Sequence, residues 1–222
     1  TSTANECASN ADFNVDENLI VDMNNCLKNM IDAPQLVLIA SSTGGPEALS
    51  SIFERITENA QIPILLVQHM PPIFTKKLAE MLNKKCPHVI VKEAEDGEIM
   101  KPGVCYIAPG DFHMTLSRAL RIRLDQEDKV SYVRPSATVL FESVYNNYIA
   151  KTLSLILTGM GDDGARGVEK LVARGDYAYI QDEKSSTVWG MPGAARAKCP
   201  QLKELPLKEV PLFLSKVFER SA

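Results

Sequence analysis

Ser42, His69 and the adjacent pair Asp162 and Asp163 supply the three side-chain types of a serine hydrolase: a nucleophile, a proton carrier and a carboxylate to orient it. Ser42 sits in residues 36–49, LVLIASSTGGPEAL. The five apolar residues 36–40 read as a buried strand, and Pro46 presets the first turn of a helix. Between them Gly44 and Gly45 let another backbone or a substrate come close to the amides that follow. Read from Ala40 to Gly44, A-x-S-x-G is one methyl away from the G-x-S-x-G nucleophile elbow. The same residues also suit a Ser/Thr helix cap beside a glycine turn, or a phosphate-cradling loop.

His69 closes the apolar run 64–67, and Asp162 and Asp163 follow the apolar run 153–158. In a parallel sheet the ligand site lies beyond the carboxyl ends of the strands, so these ends place all three residue types on one rim. Of the three histidines, His69, His88 and His113, His69 is the one at a strand end; a lone histidine there can equally be structural. The chain order Ser, His, Asp differs from the Ser, Asp, His order of α/β hydrolases, so a triad here is an independent solution. The second glycine-rich loop, TGMGDDGARG at 158–167, can be read as a phosphate loop or as a cap in which Asp162 or Asp163 starts the next helix. It also resembles the opening of a dinucleotide fingerprint, although no strand, helix, strand unit with an acidic ribose ligand follows it.

The elements that must carry these loops alternate. Strands are expected at 36–40, 64–68, 88–91, 104–108, 153–158 and 177–181. Helices are expected at 47–56, at 74–82 with Phe74, Leu78, Met81 and Leu82 on one face, at 137–149 capped by Ser136 with Leu140, Phe141, Val144 and Tyr148 inward, at 164–174 stopped by Gly175, and at 208–220. Short alternating pieces at 114–124 suggest an antiparallel hairpin. The fold class expected is α/β, a three-layer, doubly wound, mostly parallel sheet with one antiparallel hairpin.

A chain of 222 residues, 45% hydrophobic, holds one sizeable α/β domain. Residues 1–33 carry too few regular apolar positions to fold alone and read as a linker remnant, with the domain at 34–222. The first residue is not methionine, as expected of a piece of a longer chain. No apolar run is long enough to span a bilayer, and the polar start is unlike a signal peptide. Cys7, Cys26, Cys86, Cys105 and Cys199 are odd in number, scattered and without a C-x-x-C pair, which argues against a disulfide framework or zinc site and for a reduced, cytoplasmic setting. With a net charge of −4 and no basic stripe interleaved with aromatics, nucleic acid is not an expected partner.

Seven blocks, taken together, resemble the C-terminal catalytic domain of the chemotaxis protein-glutamate methylesterases: IASSTGGPEA at 39–48, QHMPPIFT at 68–75, KEAEDGE at 92–98, PGVCYIAPGDFHM at 102–114, RPS at 134–136, ILTGMGDDGA at 156–165 and GMP at 190–192. They run in order over residues 36–195. The resemblance implies Ser42 as nucleophile, His69 as general base and then acid, and Asp163 as the orienting carboxylate, since the block reads G-M-G, one variable residue, then D-G. It places Thr43, Gln68 and Met160 in the substrate or oxyanion region and His113 near the cleft without a triad role, and implies neither cofactor nor metal. The implied reaction is removal of methyl esters from glutamyl residues on the cytoplasmic helical domain of methyl-accepting chemoreceptors, with deamidation of glutamines there as a related activity. A receiver domain would precede the catalytic one in a full-length protein. This sequence departs from the family's usual pattern at Ala40 (usually Gly), Ser41 (usually Ala), near Thr138 (commonly Asp) and at Gly193 (usually basic). The alternative is a nonenzymatic module of the same fold that binds receptors or another signalling protein.

Overall fold

A computed structural model describes residues 27 and 30–221. The linker expected over residues 1–33 therefore lies almost wholly outside the described residues. The body of the structure is the unit that begins at Asp32.

Three apolar runs build the centre. β1 (Leu36–Ser41), β2 (Ile64–Gln68) and β7 (Thr152–Ile156) are buried along their whole length, the pattern of parallel strands covered on both faces. β4 (Val104–Ile107) and β8 (Tyr177–Gln181) flank them, and β3 (Ile90–Glu93) and β9 (Lys203–Leu205) form the edges. The seven-stranded order is β3-β4-β2-β1-β7-β8-β9, parallel throughout. β5 (His113–Leu116) and β6 (Ile122–Asp125) make the separate antiparallel pair.

Strand alternation sorts the side chains between two helical layers. Leu36, Leu38 and Ala40 face a core shared with Leu140, Phe141 and Val144 of α3 (Ala137–Asn147), Val168 and Leu171 of α4 (Ala165–Ala173), and Met191 and Ala195 of α5 (Gly190–Lys198). The hairpin adds Met114, Leu116 and Ile122 to this core. The other layer is α1 (Gly45–Phe53), α2 (Phe74–Lys85) and α6 (Val210–Arg220). There the Tyr179 ring on β8 meets Phe213 of α6 at 4.7 Å between centroids.

The expected architecture is the observed one, with local differences. The third strand starts at Ile90 rather than residue 88 because residues 87 and 88 form a turn. The strand after Lys151 ends at Ile156, so Leu157 and Thr158 already belong to the rim. On α2 only Leu78 and Leu82 of the expected face are buried; Phe74 is 50% exposed and Met81 37%. α5 was hidden by Gly190, Pro192 and Gly193, residues of low helix propensity, and β9 by its three-residue length. No helix among the described residues is long and apolar enough to cross a membrane.

Candidate active site

The chain leaves β1 toward β2 on one side, whereas β7 lies on the other, so the order reverses between β1 and β7. Crevices open at such a reversal, beyond the carboxyl ends of the strands. Ser42 is the first residue past β1, His69 the first past β2, and Thr158 to Gly161 the turn past β7.

Register sets Ser42 beside His69. Ser41 pairs with Gln68, so the next residue on each strand is again opposite its neighbour, on strands about 4.8 Å apart. The His69 N–H donates to Ser41 O at 3.1 Å, and the Ser42 N–H donates to Thr158 O at 3.0 Å. Ser42 is thus stitched between the two flanking loops, half-buried at their junction. Its carbonyl accepts from Gly45 N at 2.8 Å and from Gln68 Nε2 at 2.9 Å, which closes the turn into α1. A side chain at Gly45 would overlap Gln68 Oε1. On the other flank, a Cβ at Gly159 would lie 2.8 Å from Ser42 Cβ and would collide with Met191 Sδ; only glycine lets the β7 loop come this near.

Asp163 is the anchor of the site. Its Oδ2 lies 2.8 Å from His69 Nε2 and accepts the Ala137 N–H at 2.6 Å. Its Oδ1 accepts the Ser136 hydroxyl at 2.6 Å and the Thr138 N–H at 3.0 Å. All four lone-pair sites of the carboxylate are filled. The group is 2% exposed, and burial by itself would raise its pKa. The hydrogen bonds from His69 and Ser136, the charge of the His69 ring and the Thr138 amide more than offset that and hold the carboxyl below its ordinary value. Two of the donors are the first free amides of α3, so the helix N-terminus stabilises the negative charge as well.

The alternative reading of Asp163 as a local cap for the next helix is not what the structure shows. α4 has Gly164 at its N-cap without a side-chain bond, while α3 keeps the expected Ser136 cap, whose hydroxyl oxygen accepts Val139 N at 3.4 Å, and Asp163 takes the Ala137 and Thr138 amides beside it. Asp162 is exposed, contributing its carbonyl to Ala165 N at 3.1 Å. Thr138 locks the arrangement by accepting the Gly164 N–H on Oγ1 at 2.8 Å. The three histidines separate cleanly: His88 Nδ1 faces Asn59 Oδ1 at 3.1 Å far from this rim, and His113 is buried behind Ser136.

Of the residues expected in the oxyanion region, Thr43 follows Ser42 in its turn and Met160 follows Gly159, whose backbone abuts Ser42. Met160 is 69% exposed, and the backbone N–H of each is without a hydrogen-bond partner among the described residues. Gln68 is different. It is 1% exposed, and both amide hydrogens are taken, by Ser42 O and by His69 O at 3.1 Å. Its Oε1 accepts the Ser41 hydroxyl at 2.7 Å, so it braces the two loops from beneath. Ser136 and Ser41 were not legible as site residues; the one sequence signal was the position of Ser136 as a helix cap. Among the described residues no group of His, Cys, Asp and Glu could hold a metal ion, and Cys86, Cys105 and Cys199 are free thiols in the interior.

Residues 37–214 match a family described as CheB methylesterase. The protein-glutamate methylesterase/protein-glutamine glutaminase of Desulfotalea psychrophila is 46% identical over 163 residues, 71% of this chain and 44% of that protein. A second protein of that name, from Caulobacter vibrioides, is 43% identical over 185 residues, 82% of this chain and 53% of that one. The crystal structure of the Thermotoga maritima CheB methylesterase catalytic domain matches with a TM-score of 0.77 at 40% identity, over 84% of this chain and 100% of that one. The chain spans about half the length of the curated relatives it matches.

Proposed function

We propose, given that this chain belongs to the CheB methylesterase family, that it is a serine hydrolase that removes methyl esters from glutamyl side chains of chemoreceptors in the cytoplasm. The observation that carries this reading is the pairing of Ser42, in register beside His69, with a ring whose Nε2 is held 2.8 Å from a saturated carboxylate, Asp163.

In this reading Ser42 Oγ attacks the ester carbonyl carbon while His69 Nδ1, the nitrogen not engaged by Asp163, takes the hydroxyl proton. The tetrahedral oxyanion is met by the N–H groups of Thr43 and Met160. Collapse breaks the bond to the methoxy oxygen, the imidazolium returns the proton, and methanol leaves. Water, deprotonated by the same ring, then attacks the glutamyl-Ser42 ester and releases the glutamate and the serine. The same cycle run on a glutamine side chain releases ammonia in place of methanol, which is the glutaminase half of the relatives' name. The exposure of Thr43 and Met160 fits a substrate on the surface of a helical bundle rather than one swallowed by a pocket. A receiver domain in the full-length protein is the regulatory partner inferred from the family resemblance.

Methanol release from methylated chemoreceptor cytoplasmic fragments tests the assignment. The native chain should turn over and be labelled by a fluorophosphonate at Ser42, and Ser42→Ala should do neither while keeping its unfolding transition. A folded native chain that is neither labelled nor active would make it a binding module of this fold.

A further inference from the structure

The histidine that the proposed reaction leaves idle is wired to the one it uses. His113 opens β5 and is 1% exposed. Its Nδ1 accepts the Ser136 N–H at 3.2 Å, and its Nε2 lies 3.0 Å from Asp128 O. A nitrogen that accepts from an amide carries no proton, so Nε2 holds the hydrogen and donates it to Asp128. The ring is thereby fixed at both ends as a neutral spacer between the 126–134 loop and the start of α3. That loop is itself pinned by Arg134, which donates Nη1 to Gln126 O and Glu127 O at 2.8 and 2.7 Å and grips Asp111 Oδ1 with Nη2 at 2.7 Å. At the far end of the spacer, Ser136 delivers its hydroxyl to Asp163 Oδ1 at 2.6 Å, and the next two amides also bind the carboxylate.

We propose that His113 is a positioning residue for the Asp163–His69 pair, acting through Ser136, and that the β5–β6 hairpin serves to hold it. The proposal rests on the hydrolase reading above. Residue 136 sets where the carboxylate sits, and the carboxylate sets the angle of the His69 ring. Every other donor to Asp163 comes from His69 itself or from the two residues after Ser136, so beyond the Thr138 bond to Gly164 N the seat of the carboxylate is set by the start of α3.

The paired substitutions His113→Asn and His113→Gln test this on the whole chain. Asparagine places its carbonyl oxygen where Nδ1 accepts, keeping the Ser136 bond and losing the Asp128 one; glutamine keeps the reach to Asp128 and loses the acceptor. Fluorophosphonate titration counts competent sites in each variant, and methanol release is then expressed per competent site. The expected result is a fall in kcat of about 10- to 100-fold for His113→Gln with KM within about twofold, and recovery of most of that loss in His113→Asn. Adding Ser136→Ala to His113→Gln should cost little more than either alone, because both act on one carboxylate. A His113→Gln variant whose kcat per competent site equals the native value would overturn the proposal, as would equal loss in both variants. An unlabelled, inactive native chain would instead overturn the hydrolase reading beneath it.

Discussion

Asp163 meets His69 at Nε2, so the nitrogen that the proposed mechanism gives to Ser42 is Nδ1. In the chymotrypsin arrangement the two nitrogens hold the opposite posts, Nδ1 to the carboxylate and Nε2 to the serine. In the proposed mechanism the ring would serve the same logic turned end for end, carried on the strand next to that of Ser42.

That assignment separates two variants of one residue. His69→Gln can keep an N–H donor to Asp163 while losing Nδ1, so stability should stay within about 1 kcal/mol of the native chain as methanol release falls by about 10²- to 10⁴-fold. His69→Ala removes the donor as well and should be less stable than His69→Gln. Urea midpoints beside initial rates would show both; a stable, active His69→Gln would refute the role of Nδ1.

Asp163→Asn turns a saturated acceptor into a group with two hydrogens among four donors. Turnover should fall by about 10⁴-fold, the scale seen when the orienting carboxylate of a triad is made an amide. Unfolding free energy should fall by about 2–4 kcal/mol, since α3 loses the charge at its N-terminus and buried donors are left without acceptors.

The same carboxylate predicts an acid response of known sign. Its folded-state pKa is lowered relative to the unfolded chain, so the stability it confers is fully present above the ordinary carboxylate value of about 4 and is lost as pH falls through the depressed folded value. Wild type and Asp163→Asn should therefore differ most near neutral pH and converge on acidification below about pH 4. Denaturant titrations across that range would show it; a gap that widens in acid would contradict the assignment.

Gly45→Ala should act through Gln68. The new methyl would displace the amide that ties Ser42 O to His69 O, costing about 1–3 kcal/mol and lowering kcat more than KM. Ser41→Ala removes only the hydroxyl that orients Gln68 Oε1 and should cost about 1 kcal/mol. Comparing the two in unfolding and methanol-release assays isolates the brace from the turn.

Asp176→Ala is the control away from the rim. Asp176 accepts Thr152 N at 3.1 Å and Arg174 Nε at 2.8 Å under the start of β7. Its loss strands a buried amide and weakens a partly exposed guanidinium's pairing, for about 2–4 kcal/mol. Methanol release per fluorophosphonate-titrated site should be unchanged, and a fall in that ratio would mean that the strand and the rim are coupled.

The sequence made the rim legible wherever a strand was apolar on both faces. Ser42 and His69 each end such a run, and in a parallel sheet that alone puts them on one side. What stayed hidden was carried by contacts between distant segments. Asp163 looks like a cap for the helix that follows it and takes the Ala137 and Thr138 amides of α3 instead, a choice made by the packing of α3 on α4 and not by local propensity. Gln68 stands next to His69 and was expected near the substrate; its burial comes from Gly45 closing over it. α5 contains Gly190, Pro192 and Gly193, and only its packing into the core makes it a helix.

The placement of β1 has a consequence for synthesis. Its two neighbours arrive at very different times: Val37 pairs with Ile64 soon after it is made, but Leu36 waits for Thr152. At about 5–20 residues per second that interval is on the order of ten seconds on the ribosome. For that time one flank of the most apolar strand is a bare edge, open to any other nascent chain. The Ser42 N–H bond to Thr158 forms only when this edge is closed, so a chain arrested before β7 has no assembled rim, and Ser42 is seated late, once β1 is paired on both sides.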